Sequence, residues 1–307
     1  MNLIDLIICA VYLAVSMYIG CACGKKQTDT ENYFLAGRLM KWWPVAISLF
    51  ASLFSAISYI AMPGEAYNFG CTMLLSGIVP VIALPVSLFV FMKFFYNLKL
   101  WTVNEYLEKR FSVTIRSLSG VIFLAVRLVY LGVVLYATAI LMENCMGWPP
   151  WVSILVIGGF STAYTCLGGM EGVVWTDVIQ FFVMFGGILA VIGYIAWMKQ
   201  DAAGQTPGLS GIWDYAAGHR RLFNVDEESH FFAWSAKVRI SIWPWLFGLP
   251  FALIGPAIDQ INLQRCMSCK NFREVAWAVS ANTLCQIPIC FLFYFGGLAV
   301  FYCYSRI

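Results

Sequence analysis

Charge is scarce in this chain. Only 11% of its 307 residues are charged, where a soluble domain carries roughly a quarter. The 19 basic and 16 acidic residues leave a net charge of +3, and no block of like charge marks a nucleic-acid partner. Histidine is rarer still. The only two, His219 and His230, fall in one polar stretch and show no metal-ligand spacing. The sequence contains no GxSxG or HExxH motif and no phosphate-cradling glycine loop, so enzyme readings lose their usual footholds. No disulfide framework is visible either, because the eleven cysteines are scattered, mostly inside apolar runs. Cys266-Met267-Ser268-Cys269 is a lone C-x-x-C with no second pair and no nearby histidine, which favours a core role over metal or redox chemistry.

What fills the chain is apolar. Hydrophobic residues make up 61% and the mean hydropathy is +0.77, so lipid rather than water solvates the protein. Apolar runs of spanning length fall near 3–23, 42–67, 72–96, 118–142, 151–167, 173–198, 239–261 and 275–303. They predict a leading helix and seven core helices in an all-α, multi-pass protein of a cell membrane, plasma or inner. The first run carries Asp5 and lacks a basic leader, so it reads as a retained span and not a cleaved signal.

Lysine and arginine set the orientation. With the N-terminus outside, inner segments hold Lys25, Lys26, Arg38, Lys41, Lys93, Lys99, Lys109, Arg110, Arg116, Arg265, Lys270 and Arg273. Outer segments then hold only Lys199, Arg220, Arg221, Lys237 and Arg306. That asymmetry predicts an outside N-terminus. Residues 98–117 include Val103-Asn104-Glu105-Tyr106-Leu107-Glu108-Lys109-Arg110, an amphipathic piece on the inner surface. Residues 199–237 form the one long polar connection, outside.

Two of the runs are interrupted. In the first core run Ser48, Ser52, Ser55 and Ser58 recur at helical spacing, a polar stripe on a lipid-compatible helix. Pro63-Gly64 then predicts a break in its ladder. The sixth core run holds Pro244, Gly248, Pro250, Gly255 and Pro256. Small-residue packing with a proline kink explains either one alone. A pair of broken segments in corresponding halves of a chain points to a transporter's binding site.

A few polar groups lie where lipid should exclude them. Arg127 sits deep in an apolar helix and must meet either a structural partner in the bundle or a substrate carboxylate, which its planar fork suits. Asp177 is expected at an inner helix end, as a cap, an ion-pair partner or a station for a cation. Asp259, Gln260 and Gln264 beside Arg265 read as a surface cluster before a gating network. Gln286, ahead of Pro288, wants a neighbouring helix or a hydroxylated ligand.

These residues together resemble the sodium/solute symporter family. The likeness rests on Tyr33-Phe34-Leu35-Ala36-Gly37-Arg38, the Ser48–Tyr67 stretch, Gly168-Gly169, Trp175-Thr176-Asp177-Val178-Ile179-Gln180, and Asp259-Gln260 through Gln264-Arg265. It implies two inverted five-helix repeats behind a leading helix, with the second repeat here cut after two helices. Substrate and sodium would bind where the first and sixth core helices break. By the same resemblance, backbone carbonyls of Ala51 and Phe54 and the carboxylate of Asp177 are the sodium ligands. Ser55 and Ser58 match substrate-contacting positions, and Arg127 and Gln286 join them on the physical grounds above. No cofactor is implied beyond sodium as coupling ion. The partners implied are sodium, a small organic solute and the lipid bilayer, with no nucleic acid.

The expected activity is import of a sugar, sialic acid or carboxylate by alternating access. The family completes its sodium site on an eighth core helix and this chain stops at Ile307 after the seventh, so a fragment of a symporter is expected. The competing reading is a transporter-like sensor module without transport of its own.

Overall fold

A computed structural model of the chain describes residues 3–25, 27, 29–100, 102–198, 206–219, 222 and 242–306. Among the described residues the fold is all-helical, with one isolated backbone bridge between Met40 and Cys269. His230 and most of the polar connection lie outside the described residues.

The helices follow the apolar runs. Helix α1 is Leu3–Gly24, and a short α2, Thr30–Leu35, starts where Asp29 accepts the Asn32 N–H at 2.8 Å. Helix α3 is Trp42–Leu53 and α4 is Ala56–Phe69. Thr72–Asn97 forms one continuous apolar span, carrying α5 (Ile78–Val86) and α6 (Lys93–Asn97). The amphipathic piece is helix α7, Val103–Arg110, its start held by Thr102 Oγ1 accepting from the Glu105 N–H. Helix α8, Val113–Met146, has 34 residues between a Ser112 cap and a left-handed Gly147. At about 1.5 Å per residue it exceeds the ~30 Å of a hydrocarbon core.

Helix α9, Pro150–Gly193, is interrupted at Gly169, where φ 54 and ψ −156 suit only glycine. It therefore supplies both the fourth and fifth core runs. The remaining helices are α10 (Gly208–Gly218), α11 (Ile242–Ile258), α12 (Gln260–Met267) and α13 (Phe272–Arg306). Among the described residues five helices could cross a membrane by length and composition, and α3 with α4 and α11 with α12 pass the same test as broken pairs.

The chain divides into two compact units. The first comprises Met1–Ile57, Leu88–Gln180 and Pro256–Val279. Within it α1 lies against α9 through glycine. An added Cβ at Gly20 would stand 2.8 Å from the Tyr164 carbonyl oxygen, and one at Gly168 would stand 3.0 Å from Gly20 Cα. Gly20 faces Gly168 and Gly172, and Gly24, four residues on, meets the Leu167 backbone, in the close small-residue contact that lipid-embedded helices favour.

The second unit comprises Ser58–Ser87, Phe181–Gly255 and Ser280–Ile307. Its core gathers Ala66, Cys71 and Leu74 with Ile212 and Ala216 of α10 and Tyr294, Leu298 and Tyr302 of α13. The polar connection thus contributes an amphipathic helix that buries one face.

Two expected breaks sit elsewhere. Pro63 is inside α4, which runs unbroken to Phe69; the ladder stops instead at Phe54 and Ser55. A proline removes one hydrogen bond, and the Gly297 backbone packs directly against Pro63. Likewise α11 runs through Gly248, Pro250, Gly255 and Pro256, and the interruption falls at Asp259, with φ −69 and ψ 117.

Candidate functional site

The first break ends α3 in an apolar setting. Phe54 turns extended at φ −96 and ψ 116, and its N–H still reaches back to Phe50 O at 3.3 Å and Ala51 O at 3.2 Å. Its ring stacks on Phe50 with centroids 4.2 Å apart, and Ala51 and Phe54 are both buried. A helix end collects carbonyls that lack intrahelical partners and carries the negative pole of the helix dipole. A carbonyl has two lone pairs, so the Phe54 N–H does not exhaust the Ala51 oxygen. Oxygen donors at such an end suit a cation and repel an anion. Ser55, half-buried, sits in the break itself.

One turn before Ala51, Ser48 is fully buried and bridges two charges. Its Oγ donates to Asp177 Oδ2 at 2.5 Å and accepts from Arg265 Nε at 2.7 Å. The Arg265 guanidinium also donates to Asp177 Oδ2 at 2.9 Å and to the Ile261 carbonyl at 3.3 Å. Three elements meet here: α3 ahead of its break, α9 two turns past Gly169, and α12 after the Asp259 break. Asp177 is therefore neither a terminal cap nor a solvated end group, but one half of a buried ion pair.

Arg265 is central to this cluster. In the sequence it reads as part of a surface cluster, and the structure buries it to 8% exposure. Its neighbours are engaged as well. The Gln260 side-chain oxygen accepts the Val103 N–H at 3.0 Å, and Gln264 donates to Phe34 O at 2.9 Å. The surface-cluster expectation is thus corrected, because the residues bind α12 to α7 and to the segment around α2.

Arg127 has its partner within the first unit. Its guanidinium donates to Asp259 Oδ1 and lies over the Phe123 ring at 5.3 Å. Asp259 occupies the N-cap position of α12 without capping it, since its carboxylate is turned to Arg127. A carboxylate at a helix break and an arginine from deep in α8 thus neutralise each other. Ser58 and Gln286 belong to the second unit, on α4 and α13, and both are half-buried there.

The first and sixth core segments are also stitched by backbone. Met40 N–H donates to Ser268 O at 3.0 Å, and Lys270 N–H donates to Met40 O at 3.3 Å. Glu274 accepts the Trp42 N–H at 2.7 Å, placing a carboxylate on the positive N-terminus of α3. The run from Ala36 to Arg38, with φ of 48, 58 and 53, bends the chain into this junction. Gln27 meanwhile donates to the Gly168 carbonyl, and Tyr33 OH to Cys166 O at 3.0 Å.

Comparison with known proteins gives a consistent picture. The model of the sodium:solute symporter family matches residues 33–305. The chain is 33% identical over 289 residues to a sodium-dependent multivitamin transporter of Oryctolagus cuniculus, covering 93% of this chain and 44% of that protein. It is 30% identical over 308 residues to a sodium-coupled monocarboxylate transporter 2 of Danio rerio, covering 98% and 47%. Among solved structures it is similar to a substrate-bound, outward-open Na+-coupled sialic acid symporter. That match has a TM-score of 0.88 and 27% identity, and covers 99% of this chain and 62% of the other. The chain spans about half the length of the curated relatives it matches.

Proposed function

Since the chain belongs to the sodium:solute symporter family, we propose that it contributes the first and sixth core helices of a symporter that carries a small organic solute on a sodium gradient. It is a membrane protein, related to transporters and not to enzymes, and sodium is its coupling ion. The observation that carries the proposal is the buried triad of Ser48, Asp177 and Arg265. It ties the helix ahead of the first break to the helix after the second.

Sodium entering the first break meets the carbonyl end of α3 at Ala51 and Phe54. One turn back along α3, at Ser48, it meets Asp177 of α9, whose carboxylate is already claimed by Arg265 and Ser48. A cation arriving there competes with the guanidinium for the same oxygens. Loss of the Arg265 contact would let α12 part from the middle of α3 while the Met40 junction holds their other ends, which is the kind of two-state element alternating access needs. Sodium thereby lowers the cost of opening, and its departure restores the pair.

For the solute, the candidate groups are Ser55 and Arg127 in the first unit, the latter for a carboxylate, and, taken separately, the hydrogen-bonding Ser58 and Gln286 in the second. An acidic solute would have to take the Arg127 fork from Asp259, an exchange of one carboxylate for another. A hydroxylated neutral solute would not require that exchange. The organisation proposed is a leading helix, a first repeat over about 42–198 and two helices of an inverted second repeat over about 239–303, with the N-terminus outside.

The test is uptake by cells expressing the whole open reading frame, with labelled hexose, sialic acid and short monocarboxylates. Replacing sodium by choline should abolish uptake of the true solute. Uptake that persists unchanged without sodium would overturn the proposal.

A further inference from the structure

Away from the two breaks, the first unit holds a cavity of about 240 Å³ between α1, the end of α8 and α9. Most of its wall is apolar, including Leu13, Met142, Val156 and Phe160. A dry apolar cavity of about 150 Å³ accepts a benzene-sized guest, so this one has room for a ring with a short alkyl tail. Sites for drug-sized ligands begin near 300 Å³, which caps the guest at a small molecule.

One wall is polar in a specific way. Tyr12 shares hydrogen bonds with Gln180 and Ser16, and Tyr164 shares them with Ser161 and Gln180. These side chains satisfy one another. Ser153 does not join them. It is fully buried, it lines the cavity, and its hydroxyl has no hydrogen-bond partner. The carbonyl one turn back, Pro149 O, already accepts from the N–H groups of Val152 and Ser153. A buried hydroxyl left unpaired in an apolar wall is what a ligand's own polar atom would complete.

We propose that this cavity binds a small uncharged amphiphile, a compact apolar body bearing one hydroxyl, with that hydroxyl on Ser153 and the body against the apolar wall. The chemistry disfavours charged ligands, because among the described residues no charged side chain lines the space. It favours a phenol or short-chain alcohol, delivered from a bilayer that all three helices are long and apolar enough to cross. The occupant would touch Tyr12 and Tyr164, whose shared partner Gln180 stands one turn beyond Asp177 on α9. Binding does not rest on the transport reading and is tested without it.

The full chain, purified in detergent, would be exposed to a diazirine-bearing alkylphenol and irradiated. Labelling should saturate, map to peptides containing Tyr12–Ser16 or Met142–Met146, and be displaced by 4-propylphenol. Ser153→Ala should weaken 4-propylphenol about fivefold, the loss of one hydrogen bond, while leaving propylbenzene competition unchanged. Leu13→Trp, which fills the space, should abolish labelling in both backgrounds. Labelling that never saturates, or that spreads over lipid-facing helices, would mean simple partitioning and would overturn the site. Equal displacement by propylbenzene and 4-propylphenol in the unaltered chain would overturn the role given to Ser153.

Discussion

Asp177 and Arg265 stand 88 positions apart in sequence and 2.9 Å apart in space, with side chains only 13% and 9% exposed. Neither charge has water to fall back on, so each depends on the other and on Ser48. Removing one partner of a buried pair strands the other, at about 3–5 kcal/mol. Asp177→Leu alone and Arg265→Met alone should therefore each lower the melting temperature in detergent sharply. The double variant should recover most of the loss. A double variant as unstable as the sum of the singles would show that the two residues do not act as a pair.

Arg127 and Asp259 are more accessible, 34% and 29% exposed, and the proposed role of Arg127 turns on its planar fork. Arg127→Lys keeps the charge and loses the bidentate geometry. Uptake of acidic solutes should fall about tenfold, with neutral solutes unaffected. An equal loss for both classes would mean that the pair serves only to hold α8 to the Asp259 break.

Helix α1 depends on an absence of side chains. Gly20→Ala sets a methyl 2.8 Å from the Tyr164 carbonyl, backbone that cannot step aside, and should cost about 1–3 kcal/mol by overpacking. Gly132→Ala on α8, with nothing within 4 Å of the added carbon, should be neutral or stabilising. Thermal unfolding of the two variants side by side checks this. Equal stability would dissolve the packing argument.

Two cysteines near helix ends should behave in opposite ways. Cys71 is buried at the turn after α4, and burial pushes its thiol up to about 12 from an ordinary 9.0. Because the folded value is raised, the stability it lends is fully present below pH 9 and is lost as pH climbs toward 12. At pH 8 its thiolate fraction is about a thousandfold below that of a free thiol, so maleimide should reach it only after denaturation. Cys145 is exposed at the end of α8. With the N-terminus outside, an impermeant maleimide should label Cys145 on intact cells. Labelling only after permeabilisation would invert the orientation.

Much of the fold is legible in the sequence because hydrocarbon demands long apolar helices, and their runs stand out from Leu3 to Tyr304. Arg127 announced itself by being costly, and the structure supplies it with a partner. The positions of the breaks were harder to read. Pro63, Pro250 and Pro256 sit inside continuous helix, while the interruptions fall at Phe54 and Asp259, neither of them a proline or glycine. A single lost hydrogen bond is tolerated in a packed helix, whereas Phe54 leaves the ladder with its ring stacked and buried, a tertiary cause with no local signature. The serine stripe from Ser48 to Ser58 was the local hint, since it brackets the true break. The burial of Arg265 has no signature in the sequence, because its partner lies on another helix and periodicity carries no information about that.

The bridge at Met40 has a mechanical consequence. Its N–H and C=O are both spent on the Ser268–Lys270 turn, and Glu274 grips the start of α3. The beginning of α3 and the end of α12 are therefore riveted together by main-chain bonds that no side-chain exchange can release. Opposite those rivets, each segment ends in a joint that only a change of φ and ψ at Phe54 or Asp259 needs to turn. Like the legs of a pair of tongs, the two pieces share a fixed pivot and can part only at the tips that face the breaks.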